Sequence, residues 1–309
     1  MALKIAVMGA GGIGGYFGGR LAAAGEDVQF IARGAHLRAM LEQGLDIISP
    51  LGDAHVDGIR ATDDPAAIGP VDVVLFCVKL YDVEAAAELC RPLIGPDTVV
   101  ISLLNGIDSE DRLAAILGAE HVAGGIAYIP SNIREPGVIE HKAQLALLQF
   151  GELDGRASPR LEAFQAACEH SGVQAQVVDD IEAAIWMKFA GLAPMAVVCC
   201  LTRLGSSLAG AHREVTALFR AAVEEVVAVA RAKGVALPDD VVESRMAFIS
   251  GFGAGKPSML VDLEQGKRIE IEGLPGAVLL LGAELGVPTP VHQVAYAALK
   301  PHADGAPGD

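Results

Sequence analysis

Gly9, Ala10, Gly11, Gly12, Ile13 and Gly14 make a GxGxxG stretch. It follows an apolar run from Leu3 to Met8 and opens an Ala/Gly-rich stretch with helical character. In that strand–turn–helix setting such glycines hold a pyrophosphate. Gly9 suits the tight turn, Gly11 lets the backbone approach phosphate, and Gly14 lets helix and strand pack closely. Backbone amides opening a helix supply positive potential without a charged side chain. The plainer reading is a glycine-rich turn in a chain that uses small residues throughout.

The end of the next apolar run selects among dinucleotides. A site built for NAD places Asp or Glu about 20 residues past the glycines, where it holds the ribose 2′-hydroxyl. Here the run reads Phe30-Ile31-Ala32-Arg33-Gly34, with a cation in the carboxylate's place. A guanidinium can fork onto a 2′-phosphate, so NADP(H) is the expected cofactor. The alternative for Arg33 is an ordinary solvated arginine. Lys79 follows the apolar run 71–78, at the strand end where ligands bind in such sheets, and is a second candidate contact.

Two charged residues fall on apolar stripes further along. Ile181, Ile185, Lys188 and Leu192 share one helical face, as do Leu263, Glu270, Leu274 and Leu281. Burial makes a lysine's proton easier to lose, and a lysine beside a carbonyl could protonate its oxygen as hydride arrives. A snorkelling lysine or a structural ion pair remains open as well. A carboxylate near Lys188 would orient its ammonium.

These groups need elements to position them. Apolar runs at 3–8, 28–32, 71–78 and 98–103 alternate with helical stretches, which predicts an α/β fold with a doubly wound parallel sheet. Two β-like runs, Val138 to His141 and Leu145 to Leu148, predict a hairpin at the sheet edge. From Asp179 onward the pattern is helical. Asp179 to Glu182 resembles a capping box, and Val215 to Lys233 is an amphipathic helix closed by Gly234. The expected division is a dinucleotide-binding domain over 1–179, a smaller all-α domain for substrate and dimer contacts over 180–301, and a frayed tail over 302–309.

The 309 residues are 52% hydrophobic, which excludes intrinsic disorder, and length alone suggests two domains. With 39 acidic against 23 basic residues the formal charge is −16, which argues against nucleic acid or an anionic membrane surface as partner. An anionic ligand must then rely on a few local cations. Five cysteines without metal-ligand spacing suggest buried thiols, no metal and a reducing, cytoplasmic setting. The first residues lack a signal-peptide pattern, and the run 71–78 is too short to cross a bilayer.

Taken together the chain resembles the ketopantoate reductase (2-dehydropantoate 2-reductase) family over nearly its whole length. The resemblance rests on the glycine stretch, Cys77-Val-Lys79, Leu104-Asn105-Gly106 and Trp186-Met-Lys188. Pro257 to Asp262, Gly266 to Glu270 and Gly286 to Pro290 also fit. It implies an N-terminal Rossmann-type domain, a helical C-terminal domain, and NADPH-dependent reduction of a 2-oxo acid to a 2-hydroxy acid, with ketopantoate as the type substrate. Carried over by position, Lys188 is the general acid and Glu270 its partner near the nicotinamide ribose. Asn105 lies beside nicotinamide and substrate, Ser258 binds the substrate carboxylate, and Arg33 and Lys79 contact the adenosine end. The chain departs from the family at Leu192, Ala196 and Pro275, where asparagine is usual. Losing amides near the acid bears on substrate identity, because polar contacts discriminate more strongly than apolar fit.

Overall fold

Apolar runs with both faces covered become the strands of the first unit. This computed structural model describes residues 3–253 and 255–307. They form two compact units: one runs to Leu104 and resumes over Ser109–Ile181, and the other comprises Asn105–Asp108 and the chain from Glu182 onward.

The α/β unit contains β1 (Lys4–Met8), α1 (Gly12–Ala23), β2 (Asp27–Ile31), α2 (Gly34–Gln43), β3 (Leu45–Ile48), β4 (Ala54–Val56), β5 (Arg60–Thr62) and β6 (Val73–Phe76). It continues with α3 (Val83–Cys90), β7 (Val99–Ser102), α4 (Ser109–Leu117), β8 (Val122–Tyr128), β9 (Ser131–Glu135), β10 (Val138–His141), β11 (Leu147–Glu152), α5 (Pro159–His170) and β12 (Gln174–Val177). Eight strands form the main sheet in the order β12-β11-β8-β7-β6-β1-β2-β5. Its central strands are parallel, with Ile5 opposite both Val28 and Val73, and only the β11–β8 pair is antiparallel. Every residue of β6 and β7 is buried, as a sheet covered on both faces requires. The chain reverses direction across the sheet at β1, so the ends of β1, β2 and β6 make its topological switch point.

A second sheet, ordered β4-β3-β10-β9, corrects the expected hairpin. Val138–His141 pairs with Ser131–Glu135 and with β3, whereas Leu147–Glu152 joins the main sheet beside β8. Helix α1 fits against both sheets because one side of it is glycine. A Cβ on Gly18 would stand 2.7 Å from Val7 of the main sheet, and one on Gly15 or Gly19 would stand 2.7 Å from Ile139 or Ile47 of the second. Such distances forbid any side chain there.

Helices α6 (Ile181–Thr202), α7 (Ser206–Ala209), α8 (Arg213–Lys233), α9 (Val241–Gly251), α10 (Ser258–Glu264), α11 (Ala277–Leu285) and α12 (Pro290–Leu299) build the second unit. Gly234, at φ 95, ends α8 in a left-handed cap. α6 is apolar around most of its circumference, with Trp186, Phe189 and Met195 buried. By length and composition it could cross a membrane, but 72% of its most apolar window is buried inside the protein.

Two further expectations are corrected here. The stripe joining Leu263 to Glu270 does not exist as one helix: α10 ends at Glu264 and Glu270 follows in an irregular segment. Pro275 is then accommodated in a π turn over Glu272–Gly276. The Ile271 carbonyl accepts from Gly276 N–H at 2.9 Å, bypassing the proline that has no donor. The tail is held as far as Ala306, since Ile269 N–H donates to the Ala303 carbonyl and Ala306 N–H to that of Gly266, each at 3.1 Å. Gly308 and Asp309 of the expected tail lie outside the described residues.

Candidate functional site

The glycine stretch occupies the loop from β1 into α1. Gly9 sits at φ 98, and a Cβ there would stand 2.9 Å from the Cys77 carbonyl oxygen. A Cβ on Gly14 would stand 2.3 Å from the Gly9 carbonyl oxygen, and one on Gly12 2.4 Å from that of Ser131. Gly11 differs: a Cβ there meets nothing within 4 Å. Three glycines are therefore demanded by packing, and the fourth faces open space. The N–H groups of Gly9 and Ala10 both donate to the Ile31 carbonyl at 3.2 Å. Gly11 is the N-cap of α1 and makes no side-chain cap, so the first amides of the helix keep their donors for an outside acceptor. Such a cradle fits a dinucleotide pyrophosphate.

Arg33 and Lys79 follow β2 and β6, the two strands flanking β1. Arg33 is the exposed N-cap of α2, and its guanidinium approaches the Asp82 carboxylate to 3.6 Å. Lys79, partly buried, precedes the turn Leu80–Asp82.

The lysine group lies in the helical unit. Lys188, half-buried on α6, donates from Nζ to Asn105 Oδ1 at 2.8 Å. An ammonium only donates, so the amide oxygen must face it and the amide N–H₂ points elsewhere. Glu270 is 6% exposed, and its charge acts on Lys188. Burial pushes the ammonium pKa down from the ordinary 10.5 to about 8, with Glu270 offsetting part of the fall. Asn105 is thus bonded to the lysine, and Glu270 acts on it through its charge. Ser258 is exposed on the first turn of α10. One turn beyond Lys188 the helix presents half-buried Leu192, followed by buried Ala196.

Two residues next to these sites carried no motif. Arg245 of α9 donates from Nη1 to the carbonyl of Met187, the residue before Lys188, at 3.2 Å. His36 of α2 is hydrogen-bonded to the Ala10 carbonyl at 2.9 Å and accepts from Gly137 N–H at 3.0 Å. A lone Arg or His has no periodicity to reveal it; only tertiary packing makes either meaningful. All five cysteines are free thiols, four of them buried and Cys77 partly so.

Residues 5–155 match the family described as Ketopantoate reductase PanE/ApbA, and residues 180–303 match Ketopantoate reductase PanE/ApbA C terminal. A 2-dehydropantoate 2-reductase of Mesorhizobium japonicum is 32% identical, covering 96% of this chain and 97% of its own. The crystal structure of 2-dehydropantoate 2-reductase from Geobacter metallireducens is similar at a TM-score of 0.91 and 33% identity, over 96% of this chain and 99% of that one. D-mandelate dehydrogenase, in a ternary structure with NADH and anilino(oxo)acetate, shares the fold at a TM-score of 0.88 and 23% identity, over 97% of this chain and 98% of that one.

Proposed function

The chain belongs to the ketopantoate reductase family, and on that premise we propose that it uses NADPH to reduce a 2-oxo acid to a 2-hydroxy acid, with ketopantoate to pantoate as the default reaction. The observation that carries this reading is the lysine group: a partly buried ammonium 2.8 Å from an amide oxygen, with a buried carboxylate acting on its charge.

A bound dihydronicotinamide supplies a hydride to the substrate carbonyl carbon. Lys188 delivers the balancing proton to the carbonyl oxygen as negative charge grows there. With a pKa near 8 the lysine is protonated at neutral pH and gives its proton up more easily than an exposed lysine. Glu270 sustains the charged form, and Asn105 fixes the direction of Nζ while its amide N–H₂ is turned toward a substrate carbonyl or carboxylate. Ser258 supplies a hydroxyl for the substrate carboxylate. The loop from Gly9 to Gly14 binds the pyrophosphate, with Arg33 on the 2′-phosphate and Lys79 on the adenosine end. On this reading residues 1–179 serve the cofactor, and residues 180–301 serve the substrate and a dimer contact, in the cytoplasm.

Leu192 and Ala196 favour a second substrate within the same chemistry, a 2-oxo acid with a bulkier, more apolar side chain. Apolar residues on the two turns after Lys188 leave no amide there to read a hydroxyl, and a site that lacks such contacts discriminates weakly between similar acids. The test follows NADPH oxidation against a panel of 2-oxo acids that includes ketopantoate and aromatic members, with Lys188→Ala alongside. Turnover abolished by the substitution is expected. NADPH binding without turnover of any acid would point instead to a dinucleotide sensor, and turnover indifferent to Lys188→Ala would remove the assigned acid.

A further inference from the structure

At the Ala10–Gly11 peptide of the cofactor loop the backbone could turn over at little steric cost. Gly11 has no Cβ and open space around it, so nothing in its own covalent structure selects one orientation. Yet the orientation matters. In a trans peptide the carbonyl and the following N–H point in opposite directions. A loop that turned this peptide over would present a carbonyl oxygen where a phosphate needs a donor.

His36 takes hold of that peptide. The Gly137 N–H donates to Nδ1 at 3.0 Å, so Nδ1 carries a lone pair. Nε2 therefore bears the proton of a neutral ring and donates it to the Ala10 carbonyl at 2.9 Å. Burial lowers the pKa of the ring and so favours this neutral form. Its anchor is firm. Gly137 lies in the turn between β9 and β10, and its own carbonyl accepts from Asp46 N–H at 2.9 Å. On the other side of the loop peptide, the Ala10 N–H is bound to the Ile31 carbonyl. Ala10 is thus tied at both of its backbone polar groups, and the Gly11 N–H is left on the face away from α2.

We infer that His36 is a positioning residue of the cofactor loop: by holding the Ala10 carbonyl it aims the Gly11 amide at the dinucleotide pyrophosphate. The inference rests on the dinucleotide-dependent function proposed above. It assigns to the second sheet the role of fixing the ring that orients the loop.

Two isosteres separate the contacts. In His36→Gln the side-chain amide nitrogen reaches the place of Nε2 and can still donate to Ala10. In His36→Asn the shorter amide keeps an acceptor for Gly137 and loses the Ala10 contact. NADPH affinity is measured by fluorescence titration on the full chain, together with kcat at saturating NADPH and the melting temperature. One lost hydrogen bond to the loop predicts that His36→Asn and His36→Ala weaken NADPH about tenfold, while His36→Gln stays within about threefold. The loss falls on Kd and on the KM for NADPH, with kcat at saturation little changed. A purely structural histidine would lower the melting temperature without separating Gln from Asn in Kd, and that result overturns the inference. So does wild-type-like affinity in Asn and Ala. Failure of the wild-type protein to bind any nicotinamide dinucleotide removes the functional reading and this inference together, whereas tight wild-type binding with no effect of His36 removes the inference alone.

Discussion

The glycine loop aims backbone amides, supplied by consecutive residues and steadied by the Ile31 carbonyl, the His36 ring and three glycines too crowded to carry a side chain. The lysine group aims side chains, and its members come from far apart: Asn105 lies 83 residues before Lys188, and Glu270 lies beyond α10. A site made of backbone is indifferent to side-chain chemistry and intolerant of a single methyl group. A site made of side chains tolerates small changes of volume and depends on individual functional groups. The two should therefore fail differently.

The largest expected effect is on the side-chain site. Lys188→Ala removes the proposed proton donor, which should cost about 10² to 10⁴ in rate and leave NADPH binding nearly intact. Single-turnover rates and an NADPH titration on the same sample check both halves. A parallel loss of binding would mean that Lys188 holds the dinucleotide and would merge the two regions.

On the backbone side, a methyl group is the probe. Gly14→Ala forces a Cβ to 2.3 Å from the Gly9 carbonyl oxygen and 2.7 Å from Val7, an overpacking that costs about 1–3 kcal/mol. It should lower the melting temperature as well as the affinity for NADPH. Gly11→Ala meets nothing in the protein, so it should fold normally and lose affinity only, because its methyl competes with the ligand for open space. A melting temperature for Gly11→Ala as low as that of Gly14→Ala would break the distinction drawn between these glycines.

This contrast also explains how far the sequence was legible. The glycine loop is contiguous and follows an apolar strand, so Gly9, Gly11 and Gly14 could be assigned separate tasks from spacing alone. Arg33 could be singled out because a strand end is a definite position in such a sheet. The lysine group was visible only as two oddities on apolar stripes, and one stripe was illusory, since Gly266 and the segment after it break the helix before Glu270. Asn105-Gly106 reads locally as a turn; only the fold gives it a lysine to meet. The second sheet is not legible in the sequence because β4 has three residues and β9 reads Ser-Asn-Ile-Arg-Glu, with no apolar alternation. The run Val138 to His141 reads as a strand but does not name its neighbour, because strand pairing is decided by packing on α1 rather than by the run itself.

A smaller effect separates charge from contact within the lysine group. If reduction needs the protonated lysine, as proposed, the rate should be level below about pH 8 and fall as pH rises through it. Glu270 raises the Lys188 pKa, so Glu270→Gln should shift the falling limb to lower pH. Burial also makes folding linked to pH in the opposite sense: between about 8 and 10.5 the unfolded chain holds this proton and the folded one does not, so the lysine's contribution to stability rises with pH across that interval. A pH–rate profile unmoved by Glu270→Gln would leave the carboxylate a structural role alone.

The smallest expected effect lies at the cofactor end, where the loop's backbone gives way to side chains. Arg33 and Asp82 approach to 3.6 Å with side chains 78% and 37% exposed. An exposed pair of this kind contributes about 0–1 kcal/mol, so it holds Arg33 only loosely. Because β2 and β6 flank β1, the pair reaches across the end of the strand that leads into the glycine loop. If Arg33 takes the 2′-phosphate, Asp82 is both a rival acceptor and a like charge beside that phosphate. Asp82→Asn should then lower the KM for NADPH about two- to fivefold, leave NADH unchanged, and do so less as salt is added. Weaker NADPH binding would instead make Asp82 the residue that holds Arg33 in place. Equal changes for NADPH and NADH would take Arg33 off the 2′-phosphate and leave the discrimination between the two dinucleotides to Lys79 or to the loop itself.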